Sequence, residues 1–139
     1  MIASRSRTAP VDDCQAIAID ESHLGRMTLG DHRLEQEVLE LFLRQTTIML
    51  NRIVNADPPL AAAAAHTLKG SARGIGAWRV ARAAELLELA AGGDAGKDGS
   101  KSDADLAAAI AELKAASLEA SVVIGARLTA LLAALGRER

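Results

Sequence analysis

The sequence predicts an all-α protein, built as an antiparallel four-helix bundle with a short additional N-terminal helix. Three observations carry this. Alanine and leucine dominate a chain that is 50% hydrophobic yet has one Trp, one Phe and no Tyr, so the β-branched and aromatic residues that favour strands are scarce. Apolar residues recur at the 3.6-residue helical period in several separate runs. Capping residues, Asp-Pro and glycine steps punctuate those runs. At 139 residues the chain fits one domain with one core.

Residues 1–16 show no helical period and are expected to form a flexible arm, followed by the bundle over residues 17–136. Asp20 to Gly30 reads as a short helix with Leu24, Met27 and Leu29 as its apolar side, ended by Gly30. Asp31 can cap a long helix whose stripe is Leu34, Val38, Leu41, Phe42, Ile48, Met49 and Ile53, stopping near Asn55. Asp57-Pro58 is a second start signal: a capping carboxylate, then a proline where its missing N–H does no harm. That helix runs to Gly74 or Gly76. Ala77 opens the next, with Val80, Ala84, Leu87 and Ala91 on one side. Residues 92–102 are polar and glycine-rich, a loop between helices. Ser102 or Asp103 can cap the last helix, with Leu106, Ile110, Leu113, Ala120, Ile124, Leu128, Leu131 and Leu135 as its stripe and a kink expected near Gly125.

Composition also limits function. A formal net charge of −2 with both signs interspersed argues against a nucleic-acid-binding surface. The single cysteine, Cys14, cannot form an internal disulfide, which fits a reducing compartment. No apolar run reads as the ~20 residues that span a bilayer, and the N-terminal arginines lack a following apolar region, so neither a membrane span nor a signal peptide is expected. The cytoplasm is the expected location. His23 and His32 lack metal-ligand spacing, and no metal is expected. The glycine-rich stretch from Gly92 to Ser100 is no phosphate-binding loop: Lys97 precedes Asp98 rather than Ser or Thr, and no strand leads into it.

The chemistry concentrates in one helix. On a wheel of about 100° per residue, Leu60, Ala64, Leu68 and Ile75 fall together toward the core, and His66 lies about 160° from Leu68, pointing outward. Ala62, Ala63, Lys69, Gly70 and Arg73 surround it. A neutral imidazole offers a ring nitrogen as nucleophile near neutral pH. Lys69, one turn on, can hydrogen-bond a phosphoryl oxygen. Gly70 clears the way for an incoming partner, at the roughly 1 kcal/mol that glycine costs a helix. Ser71 is expected to back-bond within its own helix. Trp78 is expected to pack at the start of the following helix; left exposed, it would be a candidate partner contact.

His66-Thr67-Leu68-Lys69-Gly70-Ser71-Ala72, followed by Ile75-Gly76-Ala77, closely resembles the signature of histidine-containing phosphotransfer (HPt) domains. Leu87-Glu88 resembles the family's Leu-Glu pair on the next helix, and Asp20 and the Gly30-Asp31 step into Leu41-Phe42 resemble its N-terminal pattern. The resemblance spans about residues 17–135. Departures are Arg73-Gly74, where Ala-Asn is common, and the long loop. The resemblance implies a four-helix bundle with His66 phosphorylated at Nε2, Lys69 steadying the phosphoryl group and Gly70 giving clearance. Glu88 stands where some members bond the other ring nitrogen; many members have Gln there. Ala62, Ala63 and Arg73 would meet the partner, across a transient interface with a small apolar centre and an ion-pair rim.

The expected partners are response-regulator receiver domains and a hybrid or sensor histidine kinase, with no nucleic acid and no membrane, and the chain is expected to be a monomer. It has no ATP-binding segment, so it would carry phosphate without kinase activity of its own. It needs no cofactor, the divalent cation belonging to the receiver. Two alternatives remain. One is a phosphoacceptor domain of a larger kinase, against which Met1 and an end just past the last helix speak mildly. The other is a regulator that binds a receiver or kinase without accepting phosphate.

Overall fold

In the computed structural model, residues 18–92 and 103–137 are described. The expected N-terminal arm and, apart from Gly92, the expected 92–102 loop lie outside them. The described residues form five helices and no strand: α1 (Glu21–Met27), α2 (His32–Asn55), α3 (Pro58–Ile75), α4 (Trp78–Ala91) and α5 (Asp103–Arg137). Only Ala56 and Asp57 separate α2 from α3, and only Gly76 and Ala77 separate α3 from α4. Such short connections force each helix to run back along its predecessor. α5 packs on both α4 and α2, closing a four-membered ring in which α3 and α5 take opposite corners.

Local chemistry sets the helix ends. The Asp31 carboxylate accepts from the backbone N–H of Arg33 and Leu34 at 2.9 and 3.1 Å, capping α2. Asp57 stands at the N-cap of α3 with Pro58 after it, but its side chain makes no capping bond, so proline geometry carries that start. Gly76 ends α3 at φ 82°, and the N–H of Ala77 donates to the carbonyl of Ala72 at 2.8 Å. A Cβ on Gly76 would also lie 3.0 Å from both the backbone oxygen and the Cβ of Asp20.

Asp20 ties α1 to this corner. Its N–H donates to the Gly76 carbonyl at 2.9 Å, its carboxylate accepts from the backbone N–H of His23 at 3.1 Å, and the Trp78 indole N–H donates to it at 3.0 Å. Trp78 is half-buried at the start of α4, edge-on to His23 with ring centroids 4.9 Å apart.

The buried faces differ in phase from the expected stripes. In α1, Leu24 is buried, but Met27 and Leu29 are 56% and 88% exposed. Thr28 is buried in their place, its hydroxyl donating to the Leu24 carbonyl at 2.9 Å. The chain reverses through positive φ at Leu29 and Gly30, which takes Leu29 off the helical period. In α2 the buried set is Glu35, Leu39, Phe42, Thr46, Met49 and Ile53, while Leu34, Leu41 and Ile48 face out. Two polar members disguise this stripe. Glu35 is neutralised by Arg127 of α5 at 2.5 Å, and the Thr46 hydroxyl donates to the Phe42 carbonyl. In α3, Leu60 is exposed, whereas Ala61, Ala65 and Ala72 join Ala64, Leu68 and Ile75 in the core. Small residues there let α3 lie close to both neighbours.

The α4 stripe of Val80, Ala84, Leu87 and Ala91 is buried as expected. In α5, Leu113, Ala120, Ile124 and Leu131 are buried, Leu106, Ile110, Leu128 and Leu135 are half-buried, and the helix continues through Gly125. The expectation that no stretch has the length and apolarity of a membrane span does not hold for α5. By length and composition α5 is apolar enough to cross a membrane, and most of its apolar stretch is not buried in the bundle.

Candidate functional site

α3 carries His66 midway along its length, on the side opposite Leu68 and turned toward α4. Leu68 is fully buried and the His66 side chain is 66% exposed, so anchoring one residue presents the other. From α4, Leu87 is fully buried and the next residue, Glu88, reaches back across the α3–α4 groove. Its carboxylate is shared. One oxygen lies 2.8 Å from Nδ1 of His66 and the other 2.8 Å from Nζ of Lys69.

Charge decides how these hydrogen bonds run. The hydrogen bond from Lys69 holds the Glu88 carboxyl below its ordinary range, with His66 adding to the effect against a desolvation penalty. An ionised carboxylate only accepts, so Nδ1 of His66 must donate. In the neutral ring the lone pair therefore sits on Nε2, the nitrogen Glu88 does not touch. Lys69 is 15% exposed and paired with Glu88, so the cation is held in place beside the ring.

The other predicted positions divide between two flanks. Gly70 is exposed, and a Cβ there would meet nothing within 4 Å. The fold itself does not require that glycine. Arg73 is half-exposed and 3.8 Å from Glu85 of α4. Ala62 is half-buried, on the α4 side. Ala63 is exposed and lies on the α2 side, where it lines a cavity of about 520 Å³ together with Met49, Arg52, Asn55, Leu60 and Thr67. Ser71 does not back-bond as expected: its hydroxyl donates to the Gln45 side-chain oxygen of α2 at 3.1 Å.

The cavity was not legible beforehand because Leu60 counted as core. The proline-started first turn of α3 instead holds Leu60 at 65% exposure as a wall of the opening. Arg52, at its rim, lies outside the stripe by which α2 is read and gave no signal. Among the described residues no group of three or more His, Cys, Asp or Glu could hold a metal ion.

The family model of the Hpt domain matches residues 37–138. Neither a curated protein nor a solved structure matches the chain.

Proposed function

The chain belongs to the Hpt domain family, a family of phosphotransfer domains of two-component signalling, and on that premise we propose that it relays a phosphoryl group through Nε2 of His66 between receiver-domain aspartates. The observation that carries this reading is the shared Glu88 carboxylate, 2.8 Å from His66 Nδ1 and 2.8 Å from Lys69 Nζ.

The step balances simply. The Nε2 lone pair attacks phosphorus of an aspartyl phosphate on the receiver, the P–O bond to the aspartate breaks, and the carboxylate leaves. The ring gains positive charge while keeping its Nδ1 proton, and Glu88, accepting that proton's hydrogen bond, offsets the charge. Lys69 has three N–H donors, so it can keep Glu88 and still meet a phosphoryl oxygen. The reverse step returns the group to another receiver. The divalent cation belongs to the receiver, and the chain works as a carrier without kinase chemistry of its own.

Gly70, open above the helix, gives the partner backbone clearance. The cavity walled by Leu60 and Ala63 supplies the apolar centre of the docking face, and Arg52 and Arg73 supply rim cations facing an acidic receiver surface. The hybrid or sensor kinase that feeds the relay draws on ATP, so the cytoplasm is the proposed place of action.

The test is transfer from a phosphorylated receiver domain to the purified chain, read by intact mass. One added phosphoryl group, labile in acid, mapping to His66 and lost in His66→Gln, is the expected result. Receivers that bind but never phosphorylate His66 would instead make the chain a regulator that binds without accepting phosphate.

A further inference from the structure

α5 carries two apolar seams. One, through Leu113, Ile124 and Leu131, is buried against its own bundle. The other faces away from it. Ala115, Leu118, Val122, Gly125, Thr129 and Leu132 are all exposed and all uncharged, and they follow each other in alternate steps of three and four. Leu118, Val122 and Leu132 are 68%, 66% and 53% exposed. That alternation is the period at which one helix buries a stripe against another over several turns. Ala115 and Gly125 would let a second helix axis approach closely.

A lipid surface fits this stripe less well. At ~0.8 kcal/mol per buried CH₂, its alanine, glycine and threonine members offer little. α5 is also tied to its bundle by the Arg127–Glu35 and Arg79–Glu119 ion pairs, which insertion would break.

Charges beside the seam identify the occupant. Lys114 borders it on one side, and Glu112 and Glu119 border it on the other. When two copies of α5 run parallel about a two-fold axis, a residue on the first border meets the residue five positions on in the other copy. Lys114 then faces Glu119 of the partner subunit, whose carboxylate Arg79 of its own bundle also holds, and the symmetry repeats the contact. Antiparallel pairing would set each border against itself, leaving Lys114 opposite leucines and the two glutamates opposite Ala126 and Ala133, with no ion pair across the seam.

The geometry points to a parallel two-fold dimer of this chain, closed through the outward seam of α5 around Leu118 and Val122 and flanked by Lys114–Glu119 ion pairs. It departs from the monomer expected by resemblance and does not depend on the phosphotransfer reading. α3 lies at the opposite corner of the bundle, so the dimer leaves both copies of His66 open.

Sedimentation equilibrium of the full chain tests this. The expected result is a concentration-dependent mass reaching twice that of one chain. Leu118→Asp sets a charge in the exposed seam and should raise the dissociation constant at least about tenfold with helical circular dichroism unchanged; Lys114→Glu should weaken the dimer too. Ala115→Cys in a Cys14→Ser background should form a disulfide with itself on oxidation, as only the parallel arrangement brings the two copies of that residue together. A chain monomeric at every concentration overturns the proposal. So does a dimer that survives Leu118→Asp, or one in which Ala115→Cys does not cross-link. Loss of binding to phosphatidylcholine–phosphatidylglycerol vesicles in Leu118→Asp, with no dimer in solution, would assign the seam to a lipid surface and likewise overturn it.

Discussion

Replacing Glu88 by glutamine keeps the shape of the side chain and removes its charge, and the consequence falls on the His66 ring. The carboxylate can only accept, so it selects the ring form with the proton on Nδ1. Glutamine can accept from an Nδ1 proton or donate to an Nδ1 lone pair, so it satisfies both forms. What is lost is the preference itself, the charge-assisted hydrogen bond that only the Nδ1-protonated form makes with the carboxylate, about 1.5–3 kcal/mol. With the His66 side chain 66% exposed, water takes part of that energy, which makes it an upper bound. At about 1.4 kcal/mol per factor of ten, the preference for a free Nε2 should fall by at most about a hundredfold. The ¹⁵N shifts of the ring nitrogens report the two forms directly at a pH where the ring is neutral. The transfer rate follows the fraction of rings with a free Nε2, so it should drop by less than the preference does, and the urea midpoint should barely move. Unchanged ring populations in Glu88→Gln would refute the reasoning, since the tautomer would then be set by something other than the carboxylate. A much larger loss of transfer with unchanged populations would assign Glu88 a different part, through Lys69.

Gly70→Ala should raise helix stability by about 1 kcal/mol, because a Cβ there meets nothing within 4 Å, while slowing transfer from a receiver. Thermal melts and transfer rates measured together check this, and Gly74→Ala, equally unobstructed, is the comparison that should gain stability with a smaller loss of transfer. Arg127→Ala leaves Glu35, 3% exposed, as a buried carboxylate without its partner, and should cost about 3–5 kcal/mol in urea unfolding at neutral pH. The Trp78 hydrogen bond, with the His23 backbone N–H adding to it, holds the Asp20 carboxyl below its ordinary 3.8. A depressed carboxyl contributes its stability above the unfolded value and loses it as pH falls through the folded value. The stability gap between the native chain and Asp20→Asn should therefore be steady above about pH 5 and close below 3.8. A gap that stays constant down to pH 3 would contradict that coupling.

The ends of the helices and the outward direction of His66 were legible in the sequence because both depend on neighbours a few residues away. Asp31, the Asp57-Pro58 step and Gly76 act within one turn, and His66 opposes Leu68 by helical geometry alone. The motif around His66 was legible for the same reason, and so was the α4 stripe, although Leu86 and Leu89 lie exposed off it.

The phases of α1, α2 and α3 were decided by tertiary structure. Each has more apolar residues than one face can hold, and local periodicity does not say which face wins. Close packing of α3 between α2 and α4 selected Ala61, Ala65 and Ala72 over the larger Leu60. In α2, Glu35 could enter the core only because Arg127 arrives from the far end of the chain to neutralise it. The pairing of one Glu88 oxygen with His66 and the other with Lys69 has the same character. α3 fixes the spacing of His66 and Lys69, but the distance from α4 at which one carboxylate can hold both is set by how deeply Leu68 and Leu87 sink into a shared core.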